Sequence, residues 1–276
     1  MKVVVSLDEV RQARGNLKGP IGLVPTMGYL HEGHLSLVRQ ARKECESVVV
    51  TIFVNPTQFG AHEDLDKYPR DLERDLRLLE SEDADLVWTP TNEIMYPAGY
   101  QTWVMVEDVS KPLEGAMRPG HFRGVATIVA KFFNAVQPDR AYFGQKDAQQ
   151  TVVVRRMAGD LNSPVKIIVC PTIREADGLA MSSRNVYLSP EERQSAVVLS
   201  QALHQAKEAF KAGERDAHWL RQVVMDKLAT EPVVKVQYIS CAQPDTLQEL
   251  EGQVERALIS LAVTIGKTRL IDNIMI

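Results

Sequence analysis

Ile21-Gly22-Leu23-Val24-Pro25-Thr26-Met27-Gly28-Tyr29-Leu30-His31-Glu32-Gly33-His34 is an apolar run, a glycine turn and the start of a helical segment that continues to Glu44. A strand that leads through a tight turn into a helix leaves unpaired backbone N–H groups and the positive end of the helix dipole at one point. That point is a natural seat for an anion such as a nucleotide phosphate. His31 and His34 add donors on the first turn, and Gly28 and Gly33 let a ligand approach the backbone closely. A His-x-x-His pair also suits a metal. Zinc has little support, because Cys45, Cys170 and Cys241 are scattered without a Cys-x-x-Cys pair and further ligands would have to converge from elsewhere in the chain. The nucleotide reading leads, and no metal ligand is assigned.

Working outward, apolar runs alternate with amphipathic segments: Ile21–Val24, helix from Glu32 to Glu44, Val48–Val54, helix from Leu72 to Ser81, Asp85–Trp88, and later Ala141–Phe143 and Val165–Val169. This rhythm predicts an α/β fold with a Rossmann-like, doubly wound parallel sheet. In that architecture ligands bind beyond the carboxyl ends of the strands. Past about residue 176 the pattern changes. Ser189-Pro190-Glu191-Glu192 announces a helix continuing to Lys211, a second helix is expected from Asp216 to Ala229, and Val233–Cys241, Ala257–Ile265 and Thr268–Ile276 read as strands. Gly266-Lys267 marks a hairpin between the last two. The expected domains are therefore 1–175 and 176–276, the second a smaller alpha+beta unit.

Of the 276 residues, 45% are hydrophobic and 25% charged, and the net charge is -4. That balance argues against a nucleic-acid surface, which needs clustered Lys and Arg. No apolar stretch reaches the roughly 20 residues of a membrane helix, and no signal-peptide core follows the first methionine, so a cytoplasmic protein is expected. Unpaired cysteines agree with a reducing compartment.

Four further loops carry polar clusters. In Asn55-Pro56-Thr57-Gln58-Phe59-Gly60, Asn55 is a turn starter, whereas the Gln58 amide could orient a carboxylate or hydroxyl. In Gly144-Gln145-Lys146-Asp147-Ala148-Gln149-Gln150, Lys146 stands either beside phosphates or in solvent, with Asp147 and Gln150 forming a capping box. Met181-Ser182-Ser183-Arg184-Asn185 supplies two hydroxyls and a guanidinium whose planar fork matches phosphate oxygens. The basic loop Arg118–Gly124, with His121 and Arg123, either guards the site or pairs with the acidic run Glu63-Asp64-Leu65-Asp66.

Together these clusters resemble the pantothenate synthetase family, also called pantoate-beta-alanine ligases, within the nucleotidyltransferases that carry the HIGH signature. The resemblance spans the chain, with the clusters in matching order and spacing. It implies ATP-dependent condensation of pantoate with beta-alanine through a pantoyl adenylate, releasing pyrophosphate and then AMP. An adenylyltransferase acting on a phosphorylated metabolite is the alternative, separated by its stable dinucleotide-like product. By the same resemblance, His31, His34, Lys146 and Arg184 are the catalytic set, with His34 the proton donor. The ATP site would comprise Met27, Gly28, Tyr29, Leu30, His31, Glu32, Gly33 and His34, then Gly144, Gln145, Lys146 and Asp147, then Ile173, Met181, Ser182, Ser183 and Arg184. Gln58, Gln150, Asn55 and Met27 would contact pantoate and beta-alanine. The resemblance further implies Mg2+ bound mainly through ATP phosphates, a second domain closing over the site, and a homodimer formed through the N-terminal domain.

Overall fold

Ile21–Thr26 and Ser47–Ile52 lie in the middle of one parallel sheet and are buried on both faces, which is why they read as near-continuous apolar stretches. The computed structural model describes residues 1–60 and 63–276. In chain order its first part contains β1 (Lys2–Val4), α1 (Leu7–Gly15), β2 (Ile21–Thr26), α2 (Glu32–Glu44), β3 (Ser47–Ile52), α3 (Leu72–Ser81), β4 (Leu86–Trp88), the short α4 (Asn92–Met95) and α5 (Glu114–Met117), α6 (His121–Val136), β5 (Arg140–Gly144), α7 (Ala148–Asp160) and β6 (Lys166–Cys170). The strand order is β1-β4-β3-β2-β5-β6, all parallel.

Alternate side chains divide between two cores. Ile21, Leu23, Val49, Leu86, Trp88, Ala141 and Phe143 pack with residues of α1, α6 and α7. Val24, Val48, Val50, Val87 and Tyr142 pack with Leu35, Val38, Ala41 and Leu79 of α2 and α3. From β2 the chain runs outward to β3 and β4 on one side and later resumes at β5 and β6 on the other, so the strand order reverses between β2 and β5. In open α/β sheets that reversal opens the crevice where ligands bind.

The remaining elements are α8 (Pro190–Ser195), α9 (Val198–Lys211), α10 (Ala217–Leu228) and the antiparallel β7 (Val234–Ala242), β8 (Leu258–Ile265) and β9 (Thr268–Met275). One face of this small sheet, carrying Ile259, Leu261, Val263 and Ile265, shares a core with Leu199, Leu203, Leu220 and Val224 of α9 and α10. β8 and β9 form the expected hairpin, with Ile265 paired to Thr268 across Gly266-Lys267.

Compact units comprise Met1–Gly144 with Val153–Pro171, and Gln145–Val152 with Thr172–Ile276. The sequence pattern put its boundary at 175/176 and did not separate residues 145–152. Two other expectations change. The helix from Pro190 to Lys211 is two helices, because Val197 and Leu199 bond to carbonyls three residues back, tightening the chain at Ala196. His121–Gly124 is the first turn of α6 rather than loop. α6 buries most of its surface, and Arg123, Lys131 and Asn134 line its one polar side at helical spacing. Among the described residues no helix is long and apolar enough to cross a membrane.

Candidate active site

In the first unit, the turn after β2 is held from both sides. Thr26 Oγ1 donates to Thr51 O at 2.8 Å and accepts from Gly28 N at 3.2 Å. Gly28 has φ +79, and a Cβ there would stand 3.0 Å from Ile52 Cγ2 and 3.1 Å from Asp75 Oδ2. Only glycine meets both conditions without displacement. Asp75, from α3 and only 1% exposed, accepts Tyr29 N on Oδ2 and Leu30 N on Oδ1, each at 2.7 Å. Burial raises its carboxyl above the ordinary carboxylate value, while the two amide hydrogen bonds pull the other way.

His31 and His34 form a capping box at the start of α2. His31 Nδ1 accepts Gly33 N at 3.1 Å, and His34 Nδ1 accepts His31 N at 3.3 Å. These are the roles that Ser and Glu play in the usual box. With Nδ1 accepting, each neutral imidazole carries its proton on Nε2. The ring centroids lie 4.1 Å apart. Glu32, exposed on the same turn, pairs with Arg39.

Gln58 closes a 3-10 turn at Pro56–Gln58 after β3. Its Nε2 reaches Met27 Sδ at 2.8 Å, joining this turn to the one after β2. Asn55 is 1% exposed and engages its amide inside the protein. Nδ2 donates to Gln58 Oε1 and Gly124 O, both at 3.2 Å, while Oδ1 accepts from Thr57 N, Thr57 Oγ1 and Tyr96 OH. The Gln58 carbonyl is held by the segment that reads as a basic loop. It accepts from His121 Nδ1 at 2.8 Å and Arg118 NH2 at 3.3 Å, and Arg118 also pairs with both oxygens of Glu63. Of the two readings of that loop, the geometry carries pairing with the acidic run. An arginine only donates, so the 3.1 Å contact between Arg118 NH1 and His121 Nε2 requires a neutral imidazole with its proton on Nδ1. Burial and the neighbouring guanidinium lower the His121 pKa to about 4.

In the second unit, Gln145–Asp147 is a single 3-10 turn leading into α7, with Gln150 in the first turn of that helix. Lys146 Nζ lies 3.4 Å from Asp147 Oδ1. The segment carrying Ile173 and Met181 folds back on itself through a bridge between Arg174 and Ala180 and the bond from Met181 N to Ile173 O at 3.0 Å. Ser182 Oγ accepts Arg184 N at 3.3 Å and caps the 3-10 turn Ser183–Tyr187. Asn185 Nδ2 donates to Glu175 Oε1 and Ala180 O, and Arg193 binds Glu175 and Asp177. That guanidinium holds the Asp177 carboxyl below its ordinary value. The first unit thus gathers Met27–His34, Asn55 and Gln58, and the second gathers Gln145–Asp147, Gln150, Ile173 and Met181–Arg184. Gly144 ends β5 in the first unit.

The model of the pantoate-beta-alanine ligase family matches residues 2–275. The chain belongs to that family. Pantothenate synthetase of Roseiflexus sp. (strain RS-1) is 60% identical over 273 residues, covering 99% of this chain and 98% of the relative. The crystal structure of pantothenate synthetase from Thermus thermophilus matches with a TM-score of 0.95 at 48% identity, over 99% of each chain. The pantoate-beta-alanine ligase of Francisella tularensis, solved in complex with beta-gamma ATP and beta-alanine, matches with a TM-score of 0.82 at 35% identity, over 100% of this chain and 97% of that one.

Sequence reasoning passed over several residues that hold the site loops. Asp75 had a readable signal: it stands four residues before Leu79, on the buried stripe of α3, where an unpaired carboxylate would be costly. Asp272 and Asn273 are two consecutive polar residues inside an apolar strand, also a visible anomaly. Arg174 and Tyr96 gave none, since their partners are 98 and 41 positions away.

Proposed function

We propose that the protein condenses pantoate with beta-alanine at the expense of ATP, making pantothenate, AMP and pyrophosphate. Membership of the ligase family over residues 2–275 carries this reading. A pantoate carboxylate oxygen attacks the α-phosphorus of ATP, and the bond to pyrophosphate breaks. The amine of beta-alanine then attacks the acyl carbon of the pantoyl adenylate, AMP leaves with the bonding pair of the anhydride, and the amine gives up a proton. The order is chemically sensible, because a free carboxylate is a poor acyl donor and its anhydride with AMP is a good one.

We assign His31 and His34 to the nucleotide, each through the proton it carries on Nε2. The neighbouring Met27–Gly33 turn, Gly144–Asp147, Ile173 and Met181–Ser183 are assigned to ATP, and Lys146 and Arg184 to the charge that passes to pyrophosphate. One well-placed donor of this kind is worth roughly 3 to 4 kcal/mol in the transition state. Gln58, Gln150 and Met27 are assigned to pantoate and beta-alanine. Asn55, with both ends of its amide engaged, serves the substrates through the position it gives Gln58. Mg2+ is assigned mainly to the ATP phosphates and water, which suits its reluctance to dehydrate. The first unit is the proposed nucleotide- and pantoate-binding domain. A cytoplasmic homodimer is the proposed working form, and sedimentation should return twice the 30.9 kDa chain mass.

The deciding experiment supplies pantoate and ATP without beta-alanine. One equivalent of pyrophosphate and a bound pantoyl adenylate are expected, followed by AMP and pantothenate when beta-alanine is added. No pyrophosphate before the amine arrives would overturn the proposed order.

A further inference from the structure

Two neighbouring residues of the last strand anchor both cationic loops of the second unit. Asp272 and Asn273 lie side by side on β9, so their side chains leave opposite faces of the sheet. Asp272, 2% exposed, receives the Arg174 guanidinium on both oxygens, at 2.6 and 3.0 Å. Arg174 in turn donates to Gly178 O and bridges to Ala180, immediately before Met181–Arg184. Asn273, 4% exposed, commits its entire amide to the lysine turn. Its Nδ2 donates to Gln145 O at 3.0 Å and Lys146 O at 2.8 Å, and its Oδ1 accepts Gln145 Nε2 at 3.1 Å.

We propose that Asn273 is a positioning residue for Lys146, and that β9 serves as the common mount for the Lys146 turn and the segment leading to Arg184. The proposal rests on the assignment of Lys146 to the ATP phosphates. A lysine is a point charge on a flexible stem, so the protein aims it chiefly by fixing the backbone at its root. Asn273 fixes that root by pinning two successive carbonyls. The strand itself does not need this side chain, because β9 pairs with β8 through the backbone, Asn273 opposite Ser260 and Asp272 opposite Leu261. The small C-terminal sheet thereby sets where the two cations start from, and a shift of β9 carries both.

Asn273→Asp is the discriminating variant. It is nearly isosteric and keeps the acceptor for Gln145 Nε2, but turns an oxygen toward two carbonyl oxygens where a donor stood. Pyrophosphate release from pantoate and ATP should be followed in single turnover for the full-length wild type, Asn273→Asp, Lys146→Ala and the double variant. Asn273→Asp should slow release about 10-fold or more, in the rate constant more than in the ATP half-saturation. The double variant should fall within about threefold of Lys146→Ala alone, because residues acting through one another are not additive. A wild-type rate in Asn273→Asp, or losses that multiply in the double variant while Lys146→Ala is itself slow, overturns the positioning role and leaves Lys146 in place. A wild-type rate in Lys146→Ala removes the premise as well. If Asn273→Asp does not fold, Asn273→Ala takes its place in the same cycle. Failure of both to fold makes the side chain a requirement of the fold and overturns the proposal.

Discussion

Asp75 is a carboxylate held at 1% exposure to satisfy two consecutive amides of the turn that precedes His31. Its truncation should be felt in stability. Asp75→Ala leaves both amides without their acceptor, and at roughly 1 to 3 kcal/mol for each buried unsatisfied group the loss should be about 2 kcal/mol or more by urea unfolding. Asp75→Asn keeps one acceptor and should lose less; equal losses in the two variants would show that the amide contacts do not matter. His34 acts at the same scale. His34→Ala removes the Nδ1 acceptor for His31 N and the Nε2 donor together, and should slow adenylate formation about 100-fold or more at near-normal substrate affinity. Unchanged turnover would take His34 out of the mechanism. The His-x-x-His pair was legible from its spacing alone. Its capping geometry was not, because no sequence pattern says that an imidazole replaces the Ser and Glu of a capping box.

At the scale of elements, α6 presses directly on the Gln58 turn. A Cβ on Gly124 would stand 2.4 Å from Thr57 O and 2.7 Å from Gln58 N. Backbone cannot retreat as a flexible side chain can, so Gly124→Ala should destabilise by about 1 to 3 kcal/mol and raise the KM for pantoate, measured at saturating ATP. An unchanged KM would detach Gln58 from substrate positioning. His121, at the start of the same helix and bonded to the Gln58 carbonyl, makes the loop sensitive to acid. The His121 pKa is lowered to about 4 from an ordinary 6.5, so the unfolded chain takes up a proton near 6.5 that the folded chain refuses. This contribution is complete above about 6.5 and is lost as the pH falls toward 4, up to about 3 kcal/mol. Asp75 works in the opposite sense, since a raised carboxyl binds its proton more tightly in the fold and gains stability on acidification. Urea midpoints at pH 7 and pH 5 should therefore differ more for wild type than for His121→Gln, and equal differences would clear His121. The segment Arg118–Gly124 is visible as basic, but its helical part reads as loop because Pro119-Gly120 and Gly124 are turn residues, although the polar line Arg123, Lys131, Asn134 has helical spacing.

For the whole molecule, the consequence of an ATP site is mass action. ATP binds the native state and not the unfolded chain, so ATP at about 100 times its dissociation constant adds about 2.7 kcal/mol of stability and should raise Tm by about 5 °C. Lys146→Ala should shrink that shift, and an equal shift in the variant would point to binding elsewhere. The parallel sheet was legible because burial on both faces forces runs such as Val48–Val50 to be apolar without interruption. The switch in strand order between β2 and β5 was not written in any one run, since it depends on which strands pair. The sequence by itself determined the kinds of element, the loops at strand ends and, through their order and spacing, the family chemistry; these follow from local period, turn residues and charge. Only the tertiary structure decided what holds those loops: Asp75 on the Gly28 turn, Arg118 and His121 on Gln58, and Asn273 on Lys146. Each of those contacts joins residues 45 to 127 positions apart, and distance along a chain carries no local signal of a meeting that packing alone brings about.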